Sequence, residues 1–181
     1  MKKENAAKNA VYIGMFATLI IMGAFIKIPV PVIPFTLQFL FVALAGLLLG
    51  AKSGALSVIV YVALGLAGLP VFTGGGGIGY VLFPTFGYLI GFIFCAFVTG
   101  LVGSKSQNIK NFTLAAFSGL LALHLIGIPY YYLITKYIIK SDMTFGKIFL
   151  FCFCYTVPAD FILSVLAARI ALRLKPILNR G

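Results

Sequence analysis

Long apolar runs are the sequence feature that most constrains the fold of this chain. Six stretches approach or exceed the roughly 20 residues that a helix needs to cross a bilayer. They are Ala10–Ile26, Phe35–Gly50, Gly54–Phe72, Thr85–Val102, Phe112–Ile139 and Lys147–Leu172. None of them alternates polar and apolar residues with the period of two typical of an outer-membrane barrel. The sequence therefore predicts an all-α membrane protein with six transmembrane helices.

The composition excludes a soluble or disordered chain. Only 9% of the 181 residues are charged and 62% are hydrophobic, with a mean hydropathy of +1.13. A soluble domain carries about 25% charged residues, which it needs to cover its surface. The abundance of large apolar side chains excludes disorder. The length is that of one domain, so we expect residues 1–181 to form a single integral membrane domain.

The net charge of +11 indicates an orientation once the basic residues are placed between the spans. Ten of them fall on one side of six alternating spans, namely Lys2, Lys3, Lys8, Lys52, Lys105, Lys110, Arg169, Arg173, Lys175 and Arg180. The other side receives four, namely Lys27, Lys136, Lys140 and Lys147. The positive-inside rule then places both termini in the cytoplasm. The basicity is thus interpreted as topological, and no nucleic-acid partner is expected.

Asp160 is the strongest single candidate for a functional residue. It is the only acid inside a predicted span, and an intramembrane carboxylate is costly enough to indicate function by default. Thr156 and Ser164 lie one turn before and after it, so one helix face carries a polar stripe. The alternative is a structural carboxyl that is hydrogen-bonded to a neighbouring helix.

The single histidine and the three cysteines fit no catalytic or metal-binding pattern. His124 is interpreted as a core imidazole bonded to a carbonyl or a facing side chain, the alternative being a proton relay with Asp160. Cys95, Cys152 and Cys154 lie in apolar spans without the partners that a zinc site needs, so we expect them to pack. No metal site is expected, and no ATP-binding motif is present.

Two connections and one helix face are further candidates for contact with a ligand or a partner. The stretch Ile28–Pro34 has three prolines and should be extended and stiff. The run Gly74–Gly77 exposes main-chain groups that a ligand can approach closely. In the first span, small residues spaced for close helix packing favour contact with another helix or another subunit; they are Ala10, Gly14 and Ala17.

Five motifs in one order carry a family resemblance. They are Pro34–Gln38 (PFTLQ), Leu44–Gly50 (LAGLLLG), Gly65–Phe72 (GLAGLPVF), Gly74–Gly77 and Pro84–Phe92 (PTFGYLIGF). In this order they resemble the BioY family, the biotin-binding S components of energy-coupling-factor (ECF) transporters. The resemblance is dense from Ile28 to Phe92 and continues collinearly to Pro158-Ala159-Asp160.

The resemblance implies a six-helix ECF S-component fold that captures biotin from outside and is not an enzyme. It implies a single substrate-binding domain, multi-pass in the bacterial cytoplasmic membrane. The expected partners are biotin, membrane lipid, a transmembrane coupling subunit and two ATPase subunits. ATP is used by those ATPases, and no cofactor is expected on this chain.

The resemblance and the residue chemistry together give a set of expected site residues. For the substrate they are Thr36, Gln38, Gly75, Gly76, Tyr80, Pro84, Tyr88 and Asp160, with Ile28–Pro34 as a cap. For the coupling subunit they are Ala10, Gly14 and Ala17. The family's aspartate is typically preceded by glycine and followed one turn later by lysine, whereas this chain has Ala159 and Leu163 at those positions.

Two alternative functions stay open at this point. The missing lysine is compatible with a different vitamin or precursor on the same fold. A stand-alone proton-coupled carrier would instead use His124 and Asp160 as its relay.

Overall fold

The computed structural model describes residues 2–28, 35–105 and 108–178. Apart from Ile28, the proline-rich segment expected to cap the substrate lies outside the described residues, as does Arg180. The helices are α1 (Lys2–Phe25), α2 (Gln38–Leu66), α3 (Phe86–Gly103), α4 (Ile109–Leu133), α5 (Phe145–Phe149) and α6 (Val157–Leu178). Within the described part of the chain, five helical stretches are long and apolar enough to cross a membrane, namely Ala6–Phe25, Gln38–Leu66, Phe86–Gly103, Ile109–Ile138 and Phe145–Leu178.

Helix α2 contains both the second and the third predicted spans, and the chain reverses inside it. Gly50 has φ +82° and ψ 177°, which breaks the helix in a region that favours glycine. The side-chain amide of Gln38 donates to the hydroxyl of Tyr61 at 2.8 Å, although a straight helix would separate these residues by about 34 Å. Helix α2 is therefore a hairpin with a first arm at 38–49 and a second arm at 51–66.

The last predicted span is interrupted in the structure. Helix α5 passes into a π-helical turn at Leu150–Cys154, and α6 begins only at Val157. A second π-helical turn, Ile134–Ile138, extends α4. Such turns are rare and often occur near functional sites.

Glycines allow the central helices to approach closely. A Cβ atom on Gly119 of α4 would overlap the Thr99 hydroxyl of α3 and lie 2.7 Å from the Cys95 carbonyl oxygen. A Cβ atom on Gly46 of α2 would lie 2.6 Å from the Ala96 carbonyl oxygen of α3. In lipid there is no hydrophobic force that drives helices together. Small residues at helix contacts allow the close van der Waals packing that holds them instead.

The cysteines have different surroundings. Cys95 and Cys152 are buried and Cys154 is exposed, all as free thiols. Packing therefore accounts for the first two, as expected. Cys154 differs because it is exposed on the outer side of the π-helical turn, whereas Cys152 of the same turn is buried.

The two irregular connections meet at one end of the helices. Strand β1 (Lys27–Ile28) pairs antiparallel with β2 (Phe35–Thr36) just before α2. After α2, the Gly77 amide donates to the Gly65 carbonyl at 2.7 Å, which folds the glycine-rich loop back onto the helix end. Because α2 is a hairpin, its two ends lie together, with strand β2 and the glycine-rich loop beside them.

Candidate functional site

A cavity lies between α2, α3, α4 and α6, next to strand β2 and the glycine-rich loop. The open space that it encloses, together with the solvent at its mouth, amounts to about 600 Å³. Five of the predicted substrate-binding residues line it, namely Thr36, Gln38, Tyr80, Tyr88 and Asp160. The fold thus brings together residues that are up to 124 positions apart in the sequence.

Asp160 is buried in the cavity wall, with 6% of its surface exposed. Its main-chain amide donates to the Thr156 carbonyl at 2.9 Å, and the Ser164 hydroxyl donates to its main-chain carbonyl at 2.9 Å. No donor among the described residues bonds the carboxyl group itself. A buried carboxyl without a donor is costly, so this group is available to a donor on a molecule inside the cavity.

No basic residue of the described chain lines the cavity beside this carboxyl. Leu163, which stands where the family typically has lysine, is buried with 8% of its surface exposed and packs in the apolar core. The described residues that line the cavity include neither lysine nor arginine. The cavity is therefore apolar with one acid and several neutral hydrogen-bonding groups.

His124 is bonded as expected for a core imidazole, and it also lines the cavity. Its Nδ1 lies 2.9 Å from the Leu120 carbonyl oxygen, and its Nε2 lies 3.0 Å from the Cys152 carbonyl oxygen and 3.1 Å from the Thr156 hydroxyl. The ring also meets the Tyr88 ring edge to face at 5.9 Å. These contacts join α4 to the π-helical turn and fix one wall of the cavity.

The neutral polar groups of the wall are held by one another. The Thr36 hydroxyl donates to the Gln38 side-chain oxygen at 3.4 Å, and the Gln38 amide nitrogen donates to Tyr61. The Tyr80 hydroxyl lies 3.3 Å from the Thr73 hydroxyl and 3.1 Å from that of Thr85. Both clusters are positioned before any ligand arrives.

Several wall residues were not predicted. They are Thr73, Thr85, His124 and Thr156 among the polar ones, and Phe35, Phe39, Leu89, Phe92 and Leu123 among the apolar ones. The one-turn spacing of Thr156 to Asp160 predicts that both lie on one polar face, and both line the cavity. Thr85 could have been found because it follows Pro84 in a recognised motif.

The remaining predicted site residues lie elsewhere. Gly75, Gly76 and Pro84 are not among the described residues that line the cavity. A Cβ atom on Gly76 would overlap the carbonyl oxygen of Leu69, so this glycine is needed for the close return of the loop. Contact of these three residues with substrate stays a prediction.

The small-residue face of α1 is only partly exposed. Ala10 and Gly14 lie on the outer surface, and nothing in the described structure lies within 4 Å of a Cβ atom built on Gly14. Ala17 is 2% exposed and packs in the core. The residue beside it, Thr18, is the one that continues the exposed face, with its hydroxyl donating to the Gly14 carbonyl at 3.0 Å.

Known proteins are similar to this chain in sequence and in fold. The family model of the BioY family matches residues 1–180. A probable biotin transporter BioY from Lysinibacillus sphaericus is 46% identical over 96% of this chain and 90% of its own length. The biotin transporter BioY of Thermotoga maritima is 41% identical over 90% of this chain and 92% of its own length.

The structural comparison agrees with the sequence comparisons. A crystal structure of the S-component for biotin from an ECF-type ABC transporter matches with a TM-score of 0.83 and 29% identity. The match covers 97% of this chain and 95% of that one. Because the family model matches residues 1–180 and the relatives match most of the chain, the chain belongs to the BioY family.

Proposed function

We propose that this chain is the biotin-binding S component of an ECF transporter and acts in biotin uptake. The observation that carries the proposal is the buried Asp160 carboxyl, which lines the cavity without a donor from the described chain. Biotin has a ureido ring with two N–H donors, an apolar sulfur ring and a carboxylated tail. Its donors match the unused acceptor, and its bicyclic ring matches the apolar wall.

The pairing between Asp160 and a ureido N–H would be the main polar contact. A hydrogen bond to an ionised carboxylate is roughly twice as strong as one between neutral groups. The Gln38 cluster and the Tyr80 cluster would complete the polar contacts, and the Tyr88 ring would pack against the bicyclic ring. A few polar groups placed in an apolar cavity are the usual design of a small-molecule site.

The membrane arrangement proposed here has six spans, with both termini in the cytoplasm of a bacterial cell. The protein is a multi-pass membrane protein, and the sixth span follows if each arm of the α2 hairpin crosses separately. The reversal at Gly50 supports that count. The excess of basic residues on one side supports the orientation.

The proposed partners are a transmembrane coupling subunit and two ATPase subunits, which would use the ATP. The exposed face of α1 at Ala10, Gly14 and Thr18 would contact the coupling subunit. Small side chains there permit close approach of a partner helix. The burial of Ala17 makes Thr18 the better candidate for the third position.

A ligand screen with the purified protein tests the proposed function. We expect biotin to raise the melting temperature in detergent more than thiamine, riboflavin or other vitamins do, because a ligand that binds only the folded state stabilises it. Labelled biotin should bind with the same ranking. Absence of biotin binding at micromolar concentration would contradict the proposal.

A different vitamin is the second candidate, and Leu163 is the observation that favours it. Without the family's typical lysine, the cavity offers a carboxylated ligand no cation in its described wall. If another carboxylated vitamin or a biotin precursor stabilises the protein more than biotin does, the same screen identifies it as the substrate.

A further inference from the structure

The charge distribution of the cavity restricts how a carboxylated ligand can lie in it. The Asp160 carboxyl lies in the wall formed by α6, and a ligand carboxylate held beside it would disfavour the ionised form of both groups. The carboxylate end of such a ligand must therefore point away from Asp160. It needs a positive group in another direction, and the described cavity wall contains none.

Lys27 lies beside the cavity wall and is held there by two separate contacts. Its main chain pairs with Thr36, a residue of the cavity wall. Its ammonium group donates to the carbonyl of Thr73, a second residue of the wall, at 3.2 Å. Lys27 thus joins the connection before α2 to the glycine-rich loop after it.

Two other lysines with hydrogen bonds in the described part of the chain are engaged away from the cavity. The Lys136 ammonium bonds the Tyr132 hydroxyl at 3.0 Å, and the Lys175 ammonium bonds the Leu47 carbonyl at 2.8 Å. Neither Tyr132 nor Leu47 lines the cavity. Lys27 is therefore the cation that the described structure attaches to the cavity wall.

We propose that Lys27 recognises the carboxylate of the ligand, and this proposal rests on the proposed function in biotin binding. An ammonium group has three N–H donors, and the contact with Thr73 uses one of them. The two others can bond a carboxylate that extends from the cavity past Thr36 and Thr73. Lys27 is exposed and Asp160 is buried, so the ligand lies with its carboxylated tail toward the mouth and its ring system inside.

A comparison of biotin with biotin methyl ester tests this role, because the ester keeps the ring system and lacks the negative charge. Wild-type protein should bind biotin about fivefold more tightly than the ester, a modest factor because the pair is exposed to water. The Lys27→Gln variant should bind biotin about fivefold more weakly and the ester as well as wild type does. The preference should shrink as the salt concentration rises.

Two further variants separate recognition from structure. Lys27→Arg should keep the preference for biotin over the ester, because it keeps the charge. Lys147→Gln removes an exposed lysine of α5 and should leave both affinities unchanged. If Lys27→Gln binds biotin like wild type, or loses biotin and ester equally, the carboxylate role is wrong while biotin binding stands. If wild-type protein binds neither compound, both proposals fail.

Discussion

Replacing Asp160 by asparagine should weaken biotin binding by more than tenfold. The carboxyl is buried in the cavity wall, and no donor in the described chain bonds it, so its hydrogen-bonding capacity is left for the ligand. A hydrogen bond to a charged group contributes about 1.5–3 kcal/mol, which corresponds to roughly 10- to 150-fold in affinity. Titration of the purified variant with labelled biotin measures the loss.

The same substitution should not destabilise the ligand-free protein. Because no donor among the described residues bonds the Asp160 carboxyl, an amide of the same shape breaks no hydrogen bond in the ligand-free protein and should keep its melting temperature. Asp142→Asn is the matched control, since Asp142 is exposed outside α4 and α5 and should affect neither property. Unchanged affinity in Asp160→Asn would contradict a ligand contact, and a large fall in stability would indicate a structural carboxyl.

Replacing Gly119 by alanine should destabilise the helix packing around the cavity. The new methyl group would overlap the Thr99 hydroxyl and press on the Cys95 carbonyl oxygen, which belongs to the backbone of α3 and cannot turn aside. Overpacking of this kind costs about 1–3 kcal/mol, or roughly 2–12 °C in melting temperature for a domain of this size. Thermal unfolding in detergent measures the shift.

Gly146→Ala is the control for that substitution. Gly146 lies in α5, and nothing in the described structure lies within 4 Å of a Cβ atom built there. Alanine is also the better helix former, so this variant should be as stable as wild type or slightly more stable. A Gly119→Ala protein that melts like wild type would show that α3 and α4 are not in close contact at this point.

The helices could be predicted from hydropathy, because apolar length is the property that a bilayer selects. Hydropathy does not predict how these helices are interrupted or how they pack. The separate spans Phe35–Gly50 and Gly54–Phe72 predict a reversal between them, and the structure adds its position at Gly50 and the bond between Gln38 and Tyr61. The interruption of the last span at Leu150–Cys154 leaves no mark in apolar composition, since every residue in that turn is apolar or cysteine.

The candidate site was predictable where a residue is chemically out of place. Asp160 could be identified from the sequence because an acid in a membrane helix is energetically costly and therefore indicates function. Thr73, by contrast, reaches the cavity through the return of the glycine-rich loop, and a threonine in a loop is ordinary in any sequence. Ala17 was assigned to the α1 surface by spacing alone, which cannot tell which side of a helix the rest of the protein covers.

The hairpin in α2 has a consequence for how this protein enters the membrane during synthesis. The first arm rises about 18 Å and the second about 24 Å, and each is shorter than the roughly 30 Å hydrocarbon layer. Gln38 of the first arm and Tyr61 of the second are bonded to each other across the hairpin. Neither arm alone is a good substrate for the insertion machinery, so the two should partition from the translocation channel together, as one preassembled unit.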